Sequence, residues 1–349
     1  MIHLGIDHHK KYSHVVALGD TGEILWEGQL ASDREAFEEL KRQLPANEPV
    51  QAVLEAGRNW GLLYDALEEL ELHPVLANPL KTRLIADSFV KTDKIDANVH
   101  ALLLKAGMTP RVHVPVKAVR DQRNLLRQRL WLVKIQTGLK NRIHNVLDRN
   151  HLKVPESTDL FGSHGLAWMN TLVLADPDGK LLASDLSLLS VIRSHIRQTE
   201  KWIEETLRSN AYMPILRSFP GIGPILSALI ALEIDTIDRF ASPGKLCSYS
   251  GLANSTYSSG GKTWHGGLVP RCNHHLRYAF IEAAWAATKT SAYFQAYFRR
   301  LKARKGSHDA IGAVARKLCE ITFFCLKHQR AYQEKPYHFK SGRLGNCLA

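Results

Sequence analysis

The first 78 residues alternate between two hydrophobic periods, and this alternation limits the possible folds more than any other feature of the chain. Apolar runs typical of strands occur at IHLGID, SHVVALG and EILWEGQ, and again at VQAVLEA and HPVLAN. Two segments with helical spacing, SDREAFEELKRQL and NWGLLYDALEELE, lie between them. The predicted order is β-β-β-α-β-α-β, which favours an α/β domain with one mixed sheet. Ser32, with Glu35 three residues later, predicts a capping box at the first helix.

Two acidic residues end strands of this predicted sheet. Asp7 follows the apolar part of the first strand, and Glu55 ends the fourth strand. A carboxylate at the end of a buried strand is costly unless a cation meets it. We expect the two strands to be neighbours inside the sheet, so that the two carboxylates lie close together.

The stretch KTDKIDA, residues 91–97, places two more acids at the predicted start of a helix. Asp93 and Asp96 are three residues apart, so their carboxylates share one helix face. Aspartates are also common in the first turn of a helix, where they accept hydrogen bonds from free N–H groups, and the pair alone does not decide between the two explanations. Together with Asp7 and Glu55, the pair predicts a site in which divalent metal neutralises four converging carboxylates.

Charge is distributed unevenly along the 349 residues. Residues 1–104 hold 10 Lys and Arg against 17 Asp and Glu, whereas residues 105–153 hold 12 against 2 and residues 299–349 hold 12 against 3. A single basic block is typical of a solvated surface. Two basic blocks beside an acidic domain favour binding to a polyanion, most simply nucleic acid.

Residues 115–150 and 186–207 repeat apolar residues at helical spacing and predict two long amphipathic helices. The helices form either a hairpin packed within one protomer or a dimerising coiled coil, although the heptad pattern is not sustained. The first helix carries cations suited to backbone phosphates: Arg123, Arg127, Arg129, Lys140 and Arg142.

Two glycine-containing segments follow. Gly221 and Gly223, in FPGIGPILSALIALEI, are typical of an ordinary capped helix or of a helix-hairpin-helix turn that binds a phosphate, and the basic context favours the second. Residues 251–277, GLANSTYSSGGKTWHGGLVPRCNHHLR, are rich in small residues that leave a hydroxyl accessible. Taken alone, SSGGK is typical of a flexible loop.

The combination of GIDHHK, LEAG and KTDKIDA resembles the RuvC-like, ribonuclease-H-fold domain of the DEDD insertion-sequence transposases, the IS110 family. This family includes the Piv-type invertases and the bridge-RNA-guided recombinases. The resemblance implies that Asp7, Glu55, Asp93 and Asp96 hold two Mg²⁺ or Mn²⁺ ions. It extends to the family's C-terminal transposase domain, in which a serine directly before glycine is the nucleophile. Aligning SGG assigns this role to Ser259, with Ser258 as the adjacent alternative.

The residues after this serine agree partly with the family pattern G-x-I-x-K-x-G-N-x-x-L-R. Four positions match: Gly266, Asn273, Leu276 and Arg277. Three depart: Leu268 for Ile, Pro270 for Lys and Cys272 for Gly. These departures bear on how the segment holds phosphate or RNA, and not on the acids or the serine. We predict that Lys262 and Arg277 contact nucleic acid.

The predicted chain has three parts: a RuvC-like catalytic domain at residues 1–108, a basic helical linker at 109–210 and a mainly helical C-terminal domain at 211–349. The resemblance implies a transposase that cuts and rejoins donor and target DNA through a phosphoserine. It also implies a bridge RNA as guide and a homo-oligomer. Two alternatives stay open: a RuvC-like Holliday-junction resolvase or nuclease that uses water, and a non-catalytic nucleic-acid-binding protein.

The remaining sequence features concern the cellular compartment of the protein. No apolar run is long enough to span a bilayer, no export signal is evident, and the five cysteines form no C-x-x-C pair. We therefore expect a cytoplasmic protein that does not act on membranes. The histidines, including His8 and His9, have no spacing typical of metal ligands.

Overall fold

The computed structural model describes residues 1–86, 92–155 and 159–334. The chain divides into two compact units, Met1–Lys117 and Ala118–Ala349. Lys91, which begins KTDKIDA, and residues 335–349, which end the second basic block, lie outside the described residues. The predicted boundaries near residues 108 and 210 stay predictions.

The first unit is built on a five-stranded mixed sheet in the order β3-β2-β1-β4-β5. Its elements are β1 (Ile2–His8), β2 (Tyr12–Leu18), β3 (Ile24–Ala31), α1 (Arg34–Gln43), β4 (Val50–Glu55), α2 (Trp60–Glu69), β5 (Val75–Ala77), α3 (Pro79–Ile85) and α4 (Asp93–Lys105). Strand β2 pairs antiparallel with β1 and β3, whereas β4 pairs parallel with β1 and β5. The predicted order of strands and helices is confirmed, and the first and fourth strands are neighbours.

Strand alternation separates the two faces of this sheet. The even-numbered residues Ile2, Leu4, Ile6, Ala52 and Leu54 pack in one core with side chains of α1 and α2. On the opposite face, α4 packs against β1, β2 and β4. Because successive side chains of a strand point to opposite faces, the odd-numbered residues of β1 and β4 face α4. These include Asp7 and Glu55.

Helix α4 lies in close contact with β1 because residue 5 is glycine. A Cβ atom at Gly5 would lie 2.0 Å from the carbonyl oxygen of Ala97 and 2.5 Å from the amide nitrogen of Ala101. Both atoms belong to the helix backbone, which cannot rotate away as a side chain can. The close approach therefore fixes the start of α4 near the C-terminal end of β1.

The first helix begins one residue later than the capping-box prediction. Asp33 is the N-cap of α1, and its carboxylate accepts a hydrogen bond from the amide of Ala36 at 3.0 Å. The hydroxyl of Ser32 instead donates to the carbonyl of His9 at 3.0 Å and lies 2.8 Å from the hydroxyl of Ser13. The prediction for Ser32 was wrong because its hydroxyl is engaged at the end of β1.

The second unit consists mainly of helices and contains one β-hairpin within the part of the chain that the structure describes. Its elements are α5 (Lys117–Arg149), α6 (Ser163–Thr171), α7 (Asp178–Leu207), α8 (Tyr212–Arg217), α9 (Pro224–Ile234), α10 (Pro243–Tyr249), β6 (Asn254–Ser259), β7 (Lys262–Leu268), α11 (His274–Thr290) and α12 (Ala292–Lys327). Gly306 has a non-helical backbone and interrupts α12. Side chains of α8 to α12 share one large core.

Helices α5 and α7 form the predicted helical hairpin. They run antiparallel, since Arg129 pairs with Glu200 and Arg142 pairs with Asp185. A separate apolar core joins α5, α6 and α7. The alternative of a coiled-coil dimer stays a prediction. Among the described residues, no helix has both the length and the apolar character needed to cross a membrane.

Candidate functional site

Asp7 and Glu55 lie side by side at the C-terminal ends of the neighbouring strands β1 and β4. Ile6 of β1 is paired with Leu54 of β4 in parallel register, so the next residue of each strand continues the pair. Both residues face α4 by strand alternation. The local sequence explains this placement, because an apolar residue precedes each acid on the face that packs with α1 and α2.

Asp93 belongs to the row of α4 that runs over β1 and β2. Residues 93, 97 and 101 are spaced by four and share a helix face. Ala97 and Ala101 pack with Val16 and Leu18 of β2. Asp93, one turn earlier, is therefore carried to the end of β1, where Asp7 lies.

Asp96 belongs to the neighbouring row of α4, which runs over β4. Residues 96, 100 and 104 share this face, and Leu104 packs with Val53 of β4. His100 Nε2 lies 3.5 Å from Glu55 Oε1. The two rows thus place Asp93 at the end of β1 and Asp96 on the side of α4 that packs over β4.

The N-terminus of α4 is well suited to carry these acids. The hydroxyl of Thr92 is the N-cap and accepts a hydrogen bond from the amide of Ile95 at 3.2 Å. The first turn of a helix has a partial positive charge, which stabilises carboxylates there. Asp93 and Asp96 are both in this first turn.

His9 lies between two of the carboxylates. Its Nε2 atom is 3.3 Å from Oδ2 of Asp7 and 3.3 Å from Oδ2 of Asp93. The hydroxyl of Tyr12 donates to the same oxygen of Asp93 at 3.1 Å. One ligand atom each from Asp7, His9 and Asp93 falls within 4.8 Å of the others. This spacing suits a single divalent cation bound by oxygen and nitrogen ligands.

The electrostatics of Asp7 also fit a bound cation. Burial raises the pKa of Asp7, His9 opposes that rise, and the negative charges of Asp93 and Asp96 add to it. A carboxylate under this repulsion is stabilised by positive charge placed among the acids. The carboxylate and imidazole ligands of this site therefore fit a divalent metal.

A second histidine supports the other pair of acids. His100 is only 3% exposed, and burial lowers its pKa to about 4, against an opposing effect of Asp96. Its imidazole is thus neutral near pH 7. Sequence reasoning assigned no role to His9 or His100, although a signal existed. His100 is four residues after Asp96 on α4 and so shares its face, and His9 follows Asp7 by two residues, just past the end of β1.

Arg123, a predicted phosphate contact, has partners inside the second unit, and its contact with phosphate stays a prediction. Its guanidinium donates to the carbonyl of Leu232 at 2.8 Å and lies 3.8 Å from the carboxylate of Glu233, which is buried. Burial lowers the pKa of Arg123, and Glu233 opposes this shift. Only 11% of the Arg123 side chain is exposed, so its charge is used inside the protein.

The other predicted cations of α5 also have partners within the chain. Arg127 contacts Glu233 at 3.3 Å, Arg129 contacts Glu200 at 2.8 Å and Arg142 contacts Asp185 at 3.2 Å. Lys140 lies over the ring of Phe161, 4.9 Å from its centroid. Arg127 and Arg142 keep about half or more of their side-chain surface exposed. Phosphate binding by these four side chains stays a prediction.

The two glycines of the predicted helix-hairpin-helix turn have different environments. Gly221 has a φ of +82°, and a Cβ there would lie 2.4 Å from the carbonyl oxygen of Ala283 in α11. The absence of a side chain therefore allows close packing on α11, and phosphate contact at Gly221 stays a prediction. Gly223 is the exposed N-cap of α9. Phosphate binding at Gly223 stays a prediction.

The predicted nucleophile lies at the tip of the hairpin formed by β6 and β7. Gly260 and Gly261, with φ of +57° and +76°, form the two-residue turn between the strands. Positive φ at both positions matches the turn that suits a tight hairpin. Ser259 is paired with Lys262, and Ser258 with Thr263. The hydroxyls of Ser258 and Thr263 are 2.8 Å apart.

Arg277 holds the base of this hairpin. Its Nη2 atom donates to the carbonyl of Gly251 at 2.9 Å and to the carbonyl of Val269. These carbonyls flank β6 and β7, so one guanidinium joins the two ends. Asn273, the N-cap of α11, donates to Glu233 at 2.8 Å. Arg277 therefore positions the hairpin, and the predictions that Arg277 and exposed Lys262 contact nucleic acid stay predictions.

Comparison with known families gives matches over both units. Residues 4–152 match a family model for DEDD transposases of the IS110 type, described as a transposase. Residues 213–299 match a model described as the transposase IS116/IS110/IS902 family. The first match contains all four acids, and the second contains Ser259.

Individual relatives agree with these models. A probable family 20 transposase of Pseudomonas aeruginosa is 27% identical over 269 residues, which are 72% of this chain and 78% of that protein. A mini-circle putative transposase for IS117 of Streptomyces coelicolor is 28% identical over 61% of this chain and 51% of its own length. An uncharacterized 43.6 kDa protein of insertion element IS110, also from Streptomyces coelicolor, is 29% identical over 43% of this chain. The match covers 37% of that protein.

Proposed function

This chain belongs to the IS110 family of insertion-sequence transposases, and from this premise we propose that it cuts and rejoins DNA with a divalent-metal site and a serine nucleophile. The metal site comprises Asp7, Glu55, Asp93 and Asp96. The observation that carries the proposal is the group formed by Asp7, His9 and Asp93, whose ligand atoms lie within 4.8 Å of one another, with Glu55 ending the strand next to β1 and Asp96 in the first turn of α4.

The four carboxylates, with His9 beside them, are the groups that would hold Mg²⁺ or Mn²⁺. A bound ion would polarise the scissile phosphate and stabilise charge on the attacking and leaving oxygens. The protein's own part is to fix the carboxylates before substrate arrives. Close packing of α4 on Gly5 and the cap at Thr92 do this for the two aspartates of α4. The family resemblance implies two ions, and we propose this number here.

Ser259 would form the covalent intermediate. Its Oγ atom attacks the phosphorus of the scissile phosphodiester, an Oγ–P bond forms, and the bond from phosphorus to the leaving sugar oxygen breaks. The serine proton passes to a base, and the leaving oxygen takes up a proton. The number of phosphoester bonds is unchanged, so attack by a sugar hydroxyl of a new strand rejoins DNA without ATP.

The geometry of the hairpin favours Ser259 over Ser258. Consecutive residues of a strand point to opposite faces, and Ser258 shares a hydrogen bond with Thr263. Within the described residues, no hydrogen-bond partner holds the hydroxyl of Ser259. A serine that is free to rotate can align with a phosphate without first breaking a hydrogen bond.

DNA is the substrate of this family, and two further partners are proposals. The basic blocks at residues 105–153 and 299–349 suit a polyanion, and a bridge RNA is the guide that the family resemblance implies. We also propose that the active form is a homo-oligomer, because cutting and rejoining two DNA partners requires several serines to act together.

Strand cleavage by amide variants tests the metal half of the proposal. Asp7→Asn, Glu55→Gln, Asp93→Asn and Asp96→Asn should each abolish cleavage of supercoiled donor DNA in Mg²⁺ and leave nucleic-acid binding intact. Glu35→Gln is the matched control, since Glu35 is exposed on α1, away from the α4 face. Cleavage retained by two of the four variants would refute the assignment.

Ser259→Ala tests the other half on the same substrate. This variant should lose cleavage and every covalent protein–DNA adduct, whereas Ser258→Ala should keep both. Full cleavage by both alanine variants, without adduct, would instead mean that water attacks, as in a RuvC-like nuclease.

A further inference from the structure

The serine hairpin exposes both of its faces. All six residues of β6 are exposed, and so are the described side chains of β7 from Lys262 to Trp264. A two-stranded hairpin with both faces in water is marginally stable on its own. A surface of this kind is typical of a segment that is covered when a partner binds.

An aromatic pair dominates one face. Tyr257 and Trp264 are directly opposite each other in the two strands, with ring centroids 5.8 Å apart and planes inclined by 35°. Tyr257 is nevertheless 66% exposed and Trp264 is 52% exposed. Their mutual contact supports the hairpin but leaves a broad aromatic surface open to solvent.

The same face carries the proposed nucleophile and a cation. Ser259 lies two residues after Tyr257 in β6, and Lys262 lies two residues before Trp264 in β7, so all four share a face. Two residues of a strand span about 7 Å. A phosphate held at Ser259 and Lys262 would thus place an attached nucleoside within reach of the two rings.

The charge of the surrounding sequence indicates what covers this face. Residues 239–281 contain five Lys and Arg and no Asp or Glu. A long acid-free segment around exposed aromatic rings complements a polyanion with flat bases. Stacking of bases on aromatic side chains and neutralisation of phosphates by cations are the two contributions that bind single-stranded nucleic acid.

We propose that Tyr257 and Trp264 form a stacking platform for an unpaired nucleobase next to the scissile phosphate. The inference deepens the proposed function, because the position of that phosphate rests on Ser259 as nucleophile. Stacking accepts every base, so the platform confers affinity for an unpaired strand with little sequence preference. The base belongs to the cleaved DNA strand, because the phosphate at Ser259 is part of that strand.

Fluorescence of 2-aminopurine in a single-stranded DNA oligonucleotide of mixed sequence tests the platform in the full-length chain. Stacking of the probe base on the rings should quench its emission on binding. Trp264→Val and Tyr257→Thr each replace an aromatic residue by one that also favours strands, so the hairpin should be preserved. Each should weaken binding by about 5- to 150-fold and remove the quenching, since this is the typical effect of losing one stacked base. Trp264→Phe should largely restore both.

Controls separate the platform from general binding. Trp202→Leu replaces an exposed tryptophan of α7 and should leave affinity and quenching unchanged. Fully paired DNA with the same probe should show little quenching. The titration is repeated with single-stranded RNA, and quenching by RNA but not by DNA would overturn the assignment of the platform to the cleaved DNA strand. Circular dichroism should confirm that each variant is folded.

The outcomes distinguish this inference from the proposed function. Affinity and quenching report the stacking platform, whereas the covalent adduct and strand cleavage report the nucleophile, so each proposal can fail without the other. Unchanged affinity and quenching with single-stranded DNA in the Tyr257→Thr/Trp264→Val double variant would overturn the platform and leave the serine mechanism untouched. The same result with a loss of oligomer in sedimentation analysis would assign the rings to a protein interface instead, which also overturns the inference.

Discussion

Replacing Gly5 by alanine should disturb the metal site from a residue that carries no functional group. The new Cβ would lie 2.0 Å from the carbonyl oxygen of Ala97, whereas ordinary contacts begin at 3.4 Å. Helix α4 and β1 must therefore separate by about 1 Å or more. Overpacking of this kind typically costs about 1–3 kcal/mol, and the rigid backbone contact predicts a cost at the upper end of that range.

The separation also moves Asp93 and Asp96 relative to Asp7 and Glu55. A displacement of about 1 Å at a reacting centre lowers activity by roughly a hundredfold. We therefore expect Gly5→Ala to lower strand cleavage by that order and to weaken Mn²⁺ binding. The affinity for nucleic acid should stay near that of the wild type, because the substitution changes no Lys or Arg side chain.

The assay follows hydrogen exchange in peptides from β1 and α4. The chain has two compact units, so a single unfolding transition is not assured, and local opening free energies report the first unit directly. The matched control is Gly138→Ala in α5, where no atom lies within 4 Å of the added Cβ. That change should be neutral or stabilise α5 by up to about 1 kcal/mol. Wild-type protection and cleavage in Gly5→Ala would refute the proposed dependence of the site on this packing.

Three further predictions concern the second unit and the charged surfaces. Arg277→Ala removes the hydrogen bonds to Gly251 and Val269. Hydrogen exchange in the serine hairpin should therefore rise and adduct formation should fall, while α11 stays protected. Unchanged exchange in residues 251–269 would contradict the positioning role. Arg123→Glu places a carboxylate beside buried Glu233 and should destabilise the second unit by about 3–5 kcal/mol in thermal unfolding. Lys134 is exposed, so Lys134→Glu should weaken DNA binding with little effect on unfolding. DNA affinity should fall with salt at a slope of roughly −0.7 to −0.9 per neutralised phosphate in log K against log[salt], and a flat titration would indicate that the basic blocks do not bind nucleic acid.

The placement of the acids could be predicted because it depends on local periodicity. The period of two in β1 and β4 determines which face carries Asp7 and Glu55, and the spacing of three determines that Asp93 and Asp96 share a helix face. The neighbouring positions of β1 and β4 follow from the order of strands and helices. The positions of the four acids on their strands and helix could therefore be predicted from the sequence.

The partners of the arginines could not be predicted in the same way. Arg123 and Arg127 meet Glu233, which is more than a hundred residues further along the chain. Arg277 binds carbonyl oxygens, and main-chain acceptors leave no mark in a sequence. The composition of α5 predicts cations correctly, but only the tertiary packing determines whether a cation faces solvent or an internal acid. The two histidines of the site were missed because a histidine on a buried face is more often a packed residue than a ligand.

Mapping the covalent intermediate by mass spectrometry tests the central proposal most directly. The wild-type chain is incubated with a suicide DNA substrate in Mg²⁺, denatured and digested. We predict a nucleotide adduct on Ser259, within the peptide that contains YSSGGK, and its absence from Asp93→Asn and from samples treated with EDTA. An adduct on Ser258 would move the nucleophile by one residue. Cleaved DNA with no adduct on either serine would contradict the account.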